Sequence, residues 1–314
     1  ARASDYSPGT ESTWLRIKRD PKRRSELVND LAALYGAGLC ERRGIPGNGP
    51  RGAALSPDGK RLAVGMFFSG CVHLVDTQSG HVTATIDLGT RKEPDQVRRG
   101  QMLFHDATRC FQHWLSCATC HPNEGRVDGL NWDVLNDGIG NPKNLKSLLL
   151  AHQTPPMMWR GVRKTFDIAT RKGFRFLLRQ PEPGEVEAVQ AYLRSLTPQQ
   201  SPRRRPDGTL TPAAERGRAL FASEKTRCTR CHTGALLTDL KLHDVGTRGT
   251  LDHAAEFDTP SLIEVHRTAP YLHDGSAATL REVLCDRNPK DRHGVTSHLD
   301  ASQLDDLVAY LLSQ

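Results

Sequence analysis

No stretch of this 314-residue chain approaches the roughly 20 consecutive apolar residues that a bilayer-spanning helix needs, so the sequence offers no transmembrane segment. Apolar side chains are few, at 37% of the residues, and aromatic ones make up 6%. Glycine (27) and proline (19) are plentiful, so turns are frequent and side-chain core material is thin for the length. Methionine is scarce as well. Met66, Met102, Met157 and Met158 are all there are, which excludes a thioether donor from everything after Met158. A strong charge of one sign is also lacking: 43 Lys and Arg against 36 Asp and Glu give +7. That is too mild a bias to argue for nucleic acid as a partner, although a basic face for an acidic redox protein remains compatible with it.

What is present is cysteine in a particular pattern. Four of the eight cysteines fall in Cys117-Ala118-Thr119-Cys120-His121 and Cys228-Thr229-Arg230-Cys231-His232. Each string is Cys-x-x-Cys-His, the attachment pattern of c-type haem. Two thiols add across the two vinyl groups, two intervening residues set their spacing, and the next histidine reaches the iron. A lone Cys-x-x-Cys could equally be a redox dithiol or half of a zinc site; two copies within matching longer contexts decide for haem. The sequence therefore predicts two covalent haem c groups. Cys117, Cys120, Cys228 and Cys231 would be the thioether residues, with His121 and His232 the proximal iron ligands. Two haems would supply the missing apolar core, and their four propionates would offset much of the positive charge. Cys40, Cys71, Cys110 and Cys285 remain, open to three pairings or to free thiols. Haem c is assembled where conditions are oxidising, so a periplasmic, extracytoplasmic location is expected. The start at Ala1-Arg2-Ala3, without methionine, fits a processed protein or a sequence that omits an upstream part.

The chain also contains an internal duplication. Arg99-Gly100-Gln101-Met102-Leu103-Phe104 precedes the first motif and Arg216-Gly217-Arg218-Ala219-Leu220-Phe221 the second. Downstream, His152 to Gly161 matches His266 to Gly275, and each half closes on an amphipathic segment, Glu185 to Leu196 and Ser302 to Leu312. The expected fold is mainly α: two homologous c-type cytochrome domains over 97–197 and 213–314, each around one haem. A Pro- and Arg-rich linker over 198–212 would join them, and a small antiparallel β segment would sit in 1–95. In that first region, Ala54 to Gly65 reads as a turn and a strand, Cys71 to Asp76 as a second strand and His81 to Leu88 as a third. This resembles one blade of a Tyr-Val-Thr-Asn-type β-propeller, which cannot close a ring alone. A short helix is expected over Leu27 to Leu34.

Residues 97–314 resemble the bacterial di-haem cytochrome c peroxidases, a family that includes the MauG enzymes. The resemblance rests on Arg-Gly-x-x-Leu-Phe before each motif, on Thr259-Pro260-Ser261-Leu262, and on Thr268 to Leu280. It implies a peroxide-reactive first haem, a low-spin second haem that stores electrons, and a tryptophan relay between them at Trp159. It also implies a calcium ion at the haem–haem boundary, held at positions matching Asn144, Thr268 and Pro270, with His273 in the haem environment.

Two positions depart from the family pattern. Where the peroxidases carry an acid–base glutamate, this chain has Arg179, with Glu182 and Glu185 offset from it. Proton transfer at peroxide needs such a group, so these three are the local candidates for acid–base work or charge stabilisation. Where the family ligates the second iron with methionine or tyrosine, this chain has Arg287. The local donors are His298, favoured because it precedes the closing helix, and His293; Cys285 is a weaker alternative. For the first haem, Met158 and His105 are candidate distal neighbours. The expected activity is thus a peroxidase-type oxidoreductase acting on hydrogen peroxide. It would draw electrons from a small cytochrome c or cupredoxin, or from an oxidisable side chain of a protein substrate. The alternatives are an electron-transfer cytochrome with both irons six-coordinate, and a propeller-led binding or sensing module.

Overall fold

A computed structural model of the chain describes residues 19–26, 34–35, 40–41, 43–89, 93–134 and 140–314. The helix expected over Leu27 to Leu34 lies outside the described residues, Leu34 apart. The chain forms two compact units, 1–91 and 92–314.

The first unit holds a short helix, α1 (Pro21–Glu26), and four strands: β1 (Pro50–Leu55), β2 (Arg61–Met66), β3 (Cys71–Asp76) and β4 (Val82–Asp87). They pair in chain order as an antiparallel meander. Alternation explains the central strand, since Cys71, His73 and Val75 point to the buried face and their neighbours do not. Val64 and Met66 complete that small core. β1 was not legible as a strand because all six of its residues are exposed, leaving no alternation to read.

The second unit is built from helices: α2 (Gln96–His105), α3 (Phe166–Phe176), α4 (Glu185–Ser195), α5 (Pro212–Phe221), α6 (Leu280–Leu284) and α7 (Ala301–Leu312). Short polar side chains start most of them. Asp95 accepts from Arg98 N, Thr165 from Ile168 N, Thr211 from Ala214 N and Thr279 from Glu282 N. Asp300 and Gln303 form a reciprocal cap at α7.

Glycine explains the shared Arg-Gly-x-x-Leu-Phe string. α2 crosses α4 so closely that a Cβ on Gly100 would stand 1.8 Å from the Ala188 carbonyl oxygen. α5 crosses α7 in the same way, and a Cβ on Gly217 would stand 1.9 Å from the Asp306 carbonyl oxygen. Aromatic pairs flank both crossings, Phe104 with Tyr192 at 5.3 Å and Phe221 with Tyr310 at 5.2 Å. Arg216 adds a forked ion pair to Asp306 at 2.6 and 2.7 Å. Each crossing anchors a separate apolar cluster.

Between the helices run loops with a few paired residues, β5 (Asn131–Trp132) with β6 (Lys143–Asn144) and β7 (Leu242–His243) with β8 (Phe257–Asp258). The two halves exchange backbone hydrogen bonds here: Asn144 N donates to His273 O (2.8 Å) and Asp258 N to Trp159 O (2.7 Å). Each ribbon thus grips the loop of the other half, which places Asn144 and Trp159 at the seam.

Candidate functional site

Two cavities of about equal size, near 240 and 230 Å³ measured to the centres of water molecules, lie in the helical unit. The first contains Cys117, Cys120 and His121 in its wall, and the second Cys228, Cys231 and His232. Leucine, valine and phenylalanine recur in the lining of both cavities, joined by Met157 and Met158 in the first, as a flat apolar ligand requires.

Both histidines are prepared as donors by the backbone. His121 Nδ1 is 3.3 Å from the Arg126 carbonyl and His232 Nδ1 is 3.0 Å from the Leu237 carbonyl. A carbonyl only accepts, so each Nδ1 carries the proton and each Nε2 keeps its lone pair for a metal. Burial pushes the His121 pKa down to about 4, against opposing help from the Arg126 carbonyl, and lowers that of His232 as well. The rings are therefore neutral at neutral pH. Burial also raises the thiols, Cys117 to about 12 and Cys120 to about 11, with Cys228 and Cys231 shifted in the same direction. The residues present fit the cofactor that the motifs specify: paired thiols, one neutral imidazole and an apolar slot, twice over.

The two cavities differ in what opposes that imidazole. In the second, His293 faces His232 with ring centroids 6.2 Å apart. Two metal–imidazole bonds of about 2 Å plus two ring radii of about 1 Å span about 6 Å, so one metal ion fits between the rings. Burial, and then the neighbouring His232, hold the His293 pKa down to about 4. Asn288 organises the loop: its Oδ1 accepts from His293 N at 2.8 Å and its amide donates to Gly294 O at 2.9 Å. His298, favoured from its place before the closing helix, is exposed and is not part of the cavity wall. Thr296 and Leu299 are the buried anchors on either side of it, and Ser297 and His298 between them face solvent before the Asp300 cap. Arg287 is exposed and donates to Ser276 O at 2.9 Å.

The first cavity has no such partner. Among the described residues lining it there is no aspartate or glutamate, and His121 is the one imidazole. Met157 and Met158 both line it, Met158 in a left-handed conformation with φ +71°. One wall is α3, which presents Ala169, Thr170 and Gly173 between Phe166 and Phe174. The remaining acid–base candidates lie elsewhere. His105 turns back on its own helix, Nδ1 at 2.8 Å from Gln101 O, against Phe104 and Tyr192. Arg179, Glu182 and Glu185 gather with Arg109 in an ion cluster at 3.1 to 3.6 Å. Glu185 is buried there and accepts from Glu182 N, closing the start of α4. None of these four candidates borders the first cavity.

Trp159 and the run Asn144, Leu145, Lys146 line both cavities. Trp159 Nε1 donates to Asn144 O at 2.6 Å, which fixes the indole in the partition. Lys146 Nζ stands 5.4 Å from the Trp159 ring centre and pairs with Asp258, whose own pKa is raised by burial despite that lysine. Neither residue is marked by a sequence motif; only the seam brings them to Trp159. The Asn144 amide donates to Pro270 O (2.5 Å) and Leu272 O (3.2 Å), while its Oδ1 is buried with no partner. Thr268 and Pro270 border the second cavity beside it. His273 is buried under Phe257, stacked at 3.7 Å, and bonded to Asp252 at 2.8 Å. Asp252 also receives Lys143 at 2.9 Å; burial works against it, but these hydrogen bonds hold its carboxyl below the usual range. Cys40, Cys71, Cys110 and Cys285 are all free thiols.

A helical unit with two like halves, each presenting Cys-x-x-Cys-His to its own cavity across a shared tryptophan, has the architecture of di-haem proteins of the MauG type. The chain belongs to the MauG and di-haem peroxidase-like superfamily, in its hydrazine-synthase-related part. It is 34% identical to hydrazine synthase subunit gamma of Kuenenia stuttgartiensis, over 68% of this chain and 76% of that one. The solved structure of Kuenenia stuttgartiensis hydrazine synthase pressurised with xenon superposes with a TM-score of 0.69 at 32% identity, over 74% of this chain and 99% of the other. MauG of Methylophilus methylotrophus is 26% identical over 60% of this chain and 71% of its own length. A MauG-like protein associated with microbial copper homeostasis shares the fold, with a TM-score of 0.57 at 21% identity over 73% of this chain and 90% of that one. No family model matches the sequence. None of these comparisons shows a propeller blade; the N-terminal strands are a small antiparallel sheet.

Proposed function

We propose that the chain is an extracytoplasmic di-haem c oxidoreductase whose first site is open to a small substrate and whose second site exchanges electrons. Bound haem would supply a redox-active iron at each site. The chain's own residues then set the difference. His121 and His232 each give one neutral nitrogen, Cys117, Cys120, Cys228 and Cys231 fix the two groups covalently, and His293 closes the second site with another nitrogen. Ala169, Thr170 and Gly173 line the first site with small side chains. Trp159, pinned by Asn144, is the aromatic ring in the partition through which an electron would pass. Asn144 Oδ1, with the Thr268 and Pro270 carbonyls, would hold a calcium ion at this seam after a half-turn of the Asn144 amide. A small cytochrome or cupredoxin is the proposed electron partner. The observation that carries the reading is the asymmetry of the two cavities: an imidazole opposite His232 at 6.2 Å and none opposite His121.

The substrate reading divides in two. Hydrogen peroxide is the substrate that the resemblance to the peroxidases implies, but proton delivery within it finds no carboxylate or second imidazole among the described residues that line the first cavity. The name of the relative, a hydrazine synthase subunit, points instead to a small nitrogen compound. We therefore favour a small nitrogen substrate over peroxide. The test is rapid mixing of the fully reduced, haem-loaded protein with hydroxylamine and, separately, with hydrogen peroxide, following oxidation of the second haem. Faster oxidation by hydroxylamine supports the nitrogen reading, and faster oxidation by peroxide restores the peroxidase. Oxidation by neither leaves an electron carrier.

A further inference from the structure

The segment that follows the first motif is strained. Asn123, Glu124 and Gly125 take φ values of +49°, +63° and +79° in succession, and two of them are not glycine. Left-handed backbone at a residue with a side chain is costly and persists where surrounding contacts over-determine it. Leu148 N donates to the Gly125 carbonyl at 2.7 Å, and the charged contacts come from Arg126. Arg126 is 2% exposed, and its guanidinium donates to Glu124 O (2.8 Å) and Thr197 O (3.1 Å) and forks onto Glu264 at 2.8 and 2.9 Å. Glu264, also 2% exposed, belongs to the second half of the unit, is itself left-handed at φ +58°, and accepts from Gln199 N at 2.6 Å. The carbonyl of this same Arg126 receives the His121 Nδ1 proton. In the other half the matching carbonyl belongs to Leu237, whose apolar side chain can make no such fork.

We propose that Arg126 and Glu264 are a positioning pair for His121: they hold the Arg126 carbonyl against Nδ1 and so set the donor strength of the imidazole at the first site. The pair ties that setting to the second half of the molecule, through a buried bridge with no counterpart at His232. A fork of two charged groups keeps the carbonyl's direction fixed more firmly than a lone hydrogen bond does, and the carbonyl's pull on the Nδ1 proton raises the basicity of Nε2. This rests on the reading of His121 as an axial donor.

The test uses the haem-loaded full chain and the variants Glu264→Gln, which keeps shape, and Arg126→Lys, which keeps charge. The readout is the iron–histidine stretching band of the reduced first haem by resonance Raman spectroscopy, alongside the low-spin signal of the second haem. A downward shift of the stretch in both variants, with the second haem's signal unchanged, is expected. An unmoved stretch in a variant that retains both haems and wild-type helicity would overturn the proposal, because a merely structural bridge would lower melting temperature and leave that band alone. If only one variant folds, its band decides. A wild-type protein with no iron–histidine band at the first site would refute the axial reading itself, which separates the two failures.

Discussion

His293 and His298 lie within six residues of each other, and only their placement distinguishes them. Replacing His293 by alanine is expected to convert the second site from low to high spin, whereas His298→Ala should leave its spectrum unchanged; absorption spectra of the two variants check this. Acidification tests the same residue. Iron and proton compete for one lone pair, and burial keeps the His293 pKa near 4 instead of near the ordinary 6.5. Because the folded-state value is depressed, the neutral ring persists as pH falls past 6.5, and protonation sets in only as pH approaches 4. The low-spin spectrum should therefore hold at pH 5, and a spin conversion centred near 6.5 would contradict the placement. The two attachment motifs were legible residue by residue, since their chemistry is local and contiguous. The choice between two nearby histidines was not, because it depends on how Asn288 folds the loop. Lys146, Asp258, Arg126 and Glu264 left no signal either, as each acquires its meaning from a contact more than a hundred residues away in sequence or from the seam itself.

Among the elements, the two close helix crossings make the sharpest prediction. A Cβ at Gly100 or Gly217 would run into a backbone carbonyl, which cannot move aside as a flexible side chain could. Gly100→Ala and Gly217→Ala should each cost about 1–3 kcal/mol or more through overpacking, despite alanine's better helix propensity, which is worth about 1 kcal/mol the other way. Thermal melts of the haem-loaded variants read the difference, and unchanged or raised melting temperatures would show that the crossings relax. The closing helices were legible from their apolar stripes and from Asp300, whereas the paired arginine–glycine strings marked the duplication but not the helices they form. α3 is absent from the expected elements although its pattern was readable: Phe166, Ala169, Gly173 and Phe174 recur at helical spacing behind the Thr165 cap. β1 was not readable: exposed on every residue, it has no pattern at all.

For the molecule as a whole, the duplication hides an asymmetry that its repeated strings conceal. The two halves share helix crossings, attachment motifs and a common partition, yet one cavity has an opposing imidazole and the other has small residues on α3. The partition makes a further prediction: Trp159→Leu should slow electron exchange between the two haems several-fold without altering either spectrum at rest, as measured after rapid half-reduction. An unchanged rate would remove the indole from the route. The central claim is the asymmetry itself, and low-temperature electron paramagnetic resonance of the fully oxidised, haem-loaded protein measures it most directly. One high-spin ferric signal from the site of His121 and one low-spin, bis-imidazole signal from the site of His232 and His293 are expected. Two low-spin signals of equal weight would contradict it, since the first site would then be closed to any substrate.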